Sequence, residues 1–191
     1  MASGYWSPLA ISSADGPTLT AAAAASMLPV TSLFTFPPNA FAVGSALRIT
    51  AQGRISCVVT TPGTARFDIR LSSGIVAFDS GAMNLNIVVK TTLPWWLDIL
   101  LVCRSVGTTG TFFGFSKFQS EAVIGSALAT VGGNGSLLSS VSGGPETAPA
   151  VGGSVNTTIA NTFDCFFTQT VATGSLTCHN FILESGAIAL T

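Results

Sequence analysis

The chain has 191 residues, of which 48% are apolar and only 8% are charged, against about 25% charged residues in ordinary soluble domains. The length suits one domain, and a net charge of −1 with seven dispersed basic residues argues against nucleic acid as a partner. The apolar stretch at residues 21–28 is far shorter than the ~20 residues of a membrane-spanning helix. Residues 1–8 lack the positive start of a signal peptide, so we expect neither membrane insertion nor secretion.

So little charge leaves the surface to Ser, Thr, Gly, Asn and small apolar residues. Such a surface favours self-association, because charge is what keeps protein surfaces apart. The composition therefore predicts a protein whose surface lies largely inside an assembly, with a neutral monomeric domain as the alternative.

The N-terminal part is ambiguous. Residues 1–17 show no sustained periodicity and are interpreted as an arm or an edge strand. Residues 18–28 fit either a short helix, because alanine favours helices, or a strand. Pro37, Pro38 and Asn39 predict a turn.

From residue 47 the pattern is that of strands, with apolar and polar residues alternating through residues 47–59. Residues 66–71 repeat the alternation, which places Phe67 inward and Asp68 outward. Further strands are predicted at residues 75–78, 83–90, 95–104, 111–119, 162–170 and 175–184. The run at 95–104 is apolar enough to predict burial on both faces, and the last two strands are predicted to form a hairpin.

Residues 125–158 are rich in Gly, Ser, Ala and Pro and predict a long loop or extended arm. Helices long enough for crossover connections are missing from the pattern. We therefore predict an all-β fold, with one β-sandwich or jelly-roll-like domain over residues 18–191 and an N-terminal arm over residues 1–17.

The four cysteines have no close-spaced partners, and His179 is the only histidine, so we expect no metal site. Buried free thiols are favoured in a chain without a signal peptide. The alternative is a disulfide between Cys165 and Cys178, which would lie nearly opposite each other in the predicted hairpin. The remaining cysteines are Cys57 and Cys103.

Candidate catalytic groups are few, and we expect no enzyme, no catalytic residue and no cofactor. His179 with Cys57 or Cys103 is a formal nucleophile–base arrangement, but any chain with one histidine allows such a pairing. A strand histidine that is hydrogen-bonded or exposed is the favoured interpretation. Asp98 interrupts an apolar run and is expected to pair with Arg48, Arg54 or Arg104. No pair of carboxylates is brought together by spacing, and residues 132–135 lack the Lys-Ser/Thr of a phosphate loop.

Trp95 and Trp96 are adjacent in a predicted strand, so their side chains point to opposite faces. At most one of them is available to stack on a sugar ring. Packing in the core or an interface is the favoured interpretation of both.

Four segments carry a resemblance: residues 36–71, 94–107, 118–125 and 168–185. Together they resemble a family of proteins of similar length encoded among the structural genes of tailed phages. The resemblance implies a virion component without catalytic residues, assembled in the host cytoplasm. By analogy with small β-domains of such particles, it implies a capsid decoration or cement protein that binds the major capsid protein, as a homotrimer.

Two alternatives remain open from the sequence. One is a tail, baseplate or head-fibre protein. The other is a carbohydrate-binding adhesin that uses Trp6 or one of Trp95 and Trp96. In the capsid interpretation, residues 1–17 and 125–158 are expected to reach neighbouring subunits or the capsid lattice.

Overall fold

The computed structural model describes residues 6–71, 74–126, 137–141, 152–172 and 174–186. Within them the chain forms thirteen strands and one 3-10 turn, Val30–Ser32. In chain order the first seven strands are β1 (Ser7–Ile11), β2 (Ala24–Ser26), β3 (Phe34–Phe36), β4 (Ala46–Cys57), β5 (Thr64–Leu71), β6 (Ile75–Asp79) and β7 (Met83–Leu85). The others are β8 (Lys90–Ser105), β9 (Thr111–Gln119), β10 (Val123–Ser126), β11 (Leu137–Val141), β12 (Asn161–Gln169) and β13 (Gly174–Gly186).

The strands form two antiparallel sheets. The six-stranded sheet has the order β1-β13-β4-β8-β9-β11. The seven-stranded sheet has the order β10-β7-β5-β12-β2, with β3 also pairing with β12 and β6 with β5. The predicted all-β sandwich is confirmed. In the described part of the chain, no helix has the length and apolar character needed to span a membrane.

The β4–β5 and β12–β13 connections each pass from one sheet to the other, and they run side by side. β4 and β13 pair in the six-stranded sheet, whereas β5 and β12 pair in the seven-stranded sheet. The backbone N–H of Thr170 donates to the Thr64 carbonyl at 2.9 Å, which ties the two crossings together. Such a paired ribbon is a feature of Greek-key and jelly-roll sandwiches. The predicted hairpin of the last two strands is wrong, because each strand pairs in a different sheet.

The core lies between the sheets and is rich in phenylalanine. Phe67 of β5 lies at its centre, with ring centroids 4.8 Å from Phe118, 5.3 Å from Phe167 and 5.8 Å from Trp95. Phe67 and Phe167 come from one sheet and Phe118 and Trp95 from the other, so this cluster holds the two layers together. All four side chains are at most 3% exposed.

The N-terminal residues form part of the sandwich. β1 pairs with β13 at the edge of the six-stranded sheet, so this part of the predicted arm is an edge strand. The helix alternative for residues 18–28 is wrong, since β2 pairs with β12 there. The edge of β12 supplies backbone partners that outweigh the helix preference of alanine. Residues 1–5 lie outside the described part.

Two other predicted elements differ. The strand predicted at 83–90 ends at Leu85, because Asn86 accepts a hydrogen bond from the Val88 N–H and turns the chain. The loop predicted at 125–158 contains β11, which pairs along β9, and Val155, which is fully buried. Residues 127–136 and 142–151 of that loop, including 132–135, lie outside the described part.

All four cysteines are free and buried, so the disulfide alternative is wrong and the free-thiol interpretation is confirmed. Burial raises the pKa of the Cys178 thiol to about 12 and raises the pKa of Cys165 well above its ordinary value. Cys57 and Cys103 also have raised pKa values because of burial. A thiol reacts as its thiolate, so these residues are protected both by access and by protonation.

We expect none of the four thiols to react with a disulfide reagent such as DTNB in the native protein at pH 8, and all four to react in denaturant. Thiol counting by absorbance checks this. Rapid release of even one equivalent from the folded protein would contradict the burial of that cysteine.

Candidate interaction surfaces

One end of the sandwich exposes six aliphatic side chains. They lie on the adjoining connections β4–β5, β7–β8 and β12–β13, and we call this surface the aliphatic end. Its exposed fractions range from 36% to 61%. Its residues are Val58, Val59, Ile87, Val88, Val89 and Val171.

The loops of the aliphatic end are held in fixed positions. Thr170 Oγ1 accepts a hydrogen bond from the Thr64 N–H at 2.8 Å, and the Leu85 N–H donates to the Gly63 carbonyl. An ion pair between Lys90 and Glu121, 3.4 Å apart, lies at the rim. Residues 58–63 and 86–89 themselves carry no charge. The result is an ordered, neutral and apolar surface.

A second surface is the outward face of the six-stranded sheet, which we call the aromatic face. Its exposed large side chains include Trp6 (38%), Trp96 (46%), Leu100 (45%) and Phe115 (58%). Leu100 lies directly opposite Phe115 on β9 and opposite Arg48 on β4. The prediction that β8 is buried on both faces is therefore wrong: it is central in its sheet but covered on one side.

Trp95 and Trp96 point to opposite faces, as predicted. Trp95 is in the core, whereas Trp96 lies on the aromatic face with its indole Nε1 donating to Asp98 Oδ2 at 2.7 Å. Thr50 Oγ1 donates to the other oxygen of Asp98 at 3.0 Å. The predicted pairing of Asp98 with an arginine is wrong, because two neutral donors from neighbouring positions satisfy its carboxylate. The Asp98 carboxylate fixes the orientation of the Trp96 ring.

A groove of about 420 Å³ crosses the aromatic face. The Trp6 ring lies against the backbone of Gly186, which places it over the sheet at this point. Within the described residues, neither Arg48 nor Lys117 forms an ion pair. The groove is lined by Trp6, Arg48, Asp98, Ile99, Leu100, Phe115, Ser116 and Lys117.

His179 is the extra residue of a β-bulge in β13, where the pairing with β4 shifts between Cys178 and Asn180. Gly53 faces the bulge, and a side chain there would overlap the Thr177 carbonyl oxygen. His179 Nδ1 lies 2.9 Å from Asp15 Oδ1, and both side chains are substantially exposed.

The structure does not assemble the formal Cys-His arrangement. The Cys57 thiol donates to the Ala122 carbonyl and the Cys103 thiol donates to the Ser105 carbonyl, both in the core. His179 instead pairs with Asp15 on the outward side of β13.

The outward face of the seven-stranded sheet brings carboxylates together, which the sequence spacing did not predict. Asp68 on β5 lies opposite Asp79 on β6. Arg66 contacts both carboxylates, with its Nε 4.0 Å from Asp68 Oδ2 and its Nη1 3.1 Å from Asp79 Oδ2. Arg70 binds Asp68 through two nitrogens and stacks 3.9 Å from the Phe166 ring centroid. The Asp68 side chain is fully buried under these arginines, so the cluster is a structural ion-pair network.

Asp164 borders this network opposite Arg70. Burial raises the pKa of the Asp164 carboxyl, while a hydrogen bond from Ser26 Oγ, 2.7 Å from Asp164 Oδ1, opposes the shift. Across the described residues, no three His, Cys, Asp or Glu side chains form a group able to hold a metal ion.

No protein-family model matches the chain, and no curated protein sequence matches it. Among solved structures, it is similar to the CBM2 module of the evolved Dit of Lactobacillus casei BL23 phage J-1. The sequence identity is 10%, the alignment covers 92% of this chain and 82% of the other, and the TM-score is 0.32. A likeness this distant carries no argument about function.

Proposed function

We propose that the protein is a structural component of a phage virion, and specifically a capsid decoration or cement protein. It acts by binding to copies of itself, as a homotrimer, and to the major capsid protein. The observation that carries the proposal is the aliphatic end: six exposed aliphatic side chains on ordered loops of a chain with very few charges. The resemblance of residues 36–71 and 168–185 to tailed-phage structural proteins supports the same role.

The energetics favour many copies over a single contact. The six side chains are about half exposed, so covering each contributes about 1 kcal/mol, or about 6 kcal/mol together. Association costs about 4–15 kcal/mol in lost translational and rotational freedom. One aliphatic end therefore binds weakly by itself. Linking several such ends in an oligomer on a repeating lattice raises the affinity by orders of magnitude without new contacts.

The copy number per particle tests the proposal, measured by quantitative mass spectrometry of purified virions against the major capsid protein. We expect a ratio near one to one, or one trimer per few capsid subunits. A handful of copies assigns the protein to the tail, baseplate or a unique vertex. Absence from particles contradicts a structural role.

The same measurement on variants tests the aliphatic end. We expect the double variant Ile87→Ser/Val89→Ser to lose most of its particle-bound copies, because about a third of the exposed aliphatic surface is removed. The matched control is Val106→Ser, which replaces an aliphatic residue of similar exposure (46%) on the β8–β9 connection at the other end of the sandwich. Unchanged incorporation of the double variant would assign particle binding to another surface.

A further inference from the structure

We propose that the groove on the aromatic face binds a carboxylated saccharide of a cell-surface polysaccharide. The inference goes beyond a structural role, since a virion subunit can hold a glycan at any position on the particle. It rests on the exposed rings, the two cations and the volume of the groove.

The apolar part of the groove consists of Trp6, Leu100 and Phe115, all exposed by a third or more. The aromatic rings of Trp6 and Phe115 offer platforms for the C–H face of a pyranose ring, and Leu100 adds apolar contact. The groove's volume of about 420 Å³ lies within the usual range of small-ligand sites, about 300–1,000 Å³. This volume is sufficient for a short saccharide.

The charges of the groove select an anion. Arg48 and Lys117 lie on the strands either side of β8, two residues out of register, which places their Cα atoms about 12 Å apart. Among the described residues neither cation has an ion-pair partner, although Glu184 lies across from Arg48 and Asp98 across from Lys117. Both therefore remain available to donate charge-assisted hydrogen bonds to ligand carboxylates.

The polar partners of a sugar hydroxyl are also present. Asp98 accepts hydrogen bonds from Thr50 and Trp96, and a carboxylate has further lone pairs to accept a hydroxyl proton. A nucleic acid fits less well. Two cations and an acid in the groove neutralise few phosphates, and the whole chain carries a net charge of −1.

An array of bacterial polysaccharides, carrying carboxylated and neutral members, tests the proposal with the full-length protein. We expect binding to carboxylated members that weakens as salt is raised, and no binding to a single-stranded DNA 20-mer at the same salt. Binding to none of the polysaccharides, or equally to neutral ones, would overturn the proposal, as would tighter binding to the DNA.

Variants then assign the binding to the groove. We expect Lys117→Gln and Phe115→Ala each to weaken binding of the best array member by about tenfold, as loss of one good contact does. The control Lys90→Gln removes the same charge at the rim of the aliphatic end and is expected to bind normally. Equal losses in Lys90→Gln and Lys117→Gln would show non-specific attraction and overturn the site.

If a second copy of the chain covers the aromatic face, these experiments give a different result. In that case Phe115→Ala changes the oligomeric state, measured by light scattering after gel filtration, and no polysaccharide binds the native protein. This outcome overturns the saccharide site while leaving the virion role intact, because the copy number per particle is measured independently.

Discussion

Asp68→Asn is expected to lower the free energy of unfolding by about 3–5 kcal/mol, the usual cost of removing one partner from a buried ion pair. The Asp68 side chain is fully buried, and its carboxylate is contacted by Arg66 and Arg70. An amide cannot balance the charge of Arg70, whose side chain is only 20% exposed, and it leaves Asp79 as the remaining carboxylate partner of Arg66. Urea denaturation followed by tryptophan fluorescence measures the change.

The matched control is Asp79→Asn, on the neighbouring strand of the same network. Its side chain is 28% exposed, and its second oxygen accepts a hydrogen bond from the Gly81 N–H, which an amide oxygen also accepts. We expect a loss of about 1 kcal/mol or less, as for exposed ion pairs. Losses of similar size for the two variants would mean that burial of Asp68 does not decide its contribution.

Phe67→Ala is the second substitution with a large expected effect, a loss of about 3–5 kcal/mol for truncating a buried phenylalanine. The residue is adjacent to Asp68 but points into the core, where it contacts Phe118, Phe167 and Trp95 across the two sheets. Its removal leaves a cavity at the contact between layers. The denaturation midpoint is expected to fall while the m-value stays unchanged.

Phe115→Ala removes the same side chain from an exposed position and serves as the control. Phe115 is 58% exposed on the aromatic face, so we expect a stability change within about 0.5 kcal/mol. A large loss would show that this face is packed in the folded protein and would count against its role as a ligand surface.

The fold class and most strands could be predicted because the alternation of apolar and polar residues reports directly on a half-buried strand. β4 and β5 follow this rule, with Leu47, Ile49 and Phe67 in the core. Which strands pair with each other could not be predicted. The partner of a strand depends on whether the connection that follows it stays in the same sheet or crosses to the other, and the alternation does not report this. The short turn after β12 is typical of a hairpin, yet it carries the chain to the other layer.

The surfaces were harder to predict for a related reason. Valine and isoleucine at residues 87–89 have strand propensity, and only Asn86 signals that the chain turns there. The run at 95–104 is apolar on both faces, and the sequence does not show that one face is left uncovered. The sequence correctly placed Asp68 on the polar face of its strand, but it did not show that this side chain is buried. The burial of Asp68 under Arg66 and Arg70 depends also on the neighbouring strand β6.

The order of β4 and β13 along the chain has a consequence for folding. β13 pairs along the whole of β4 and separates it from β1. Both of these early strands therefore pair with a strand that is made after all the other described strands. Until then β4 keeps one open edge, and closing it requires the loss of entropy of a loop of more than a hundred residues. The sheet therefore closes only after β13 has been made, and until then the open edge of β4 can pair with other chains.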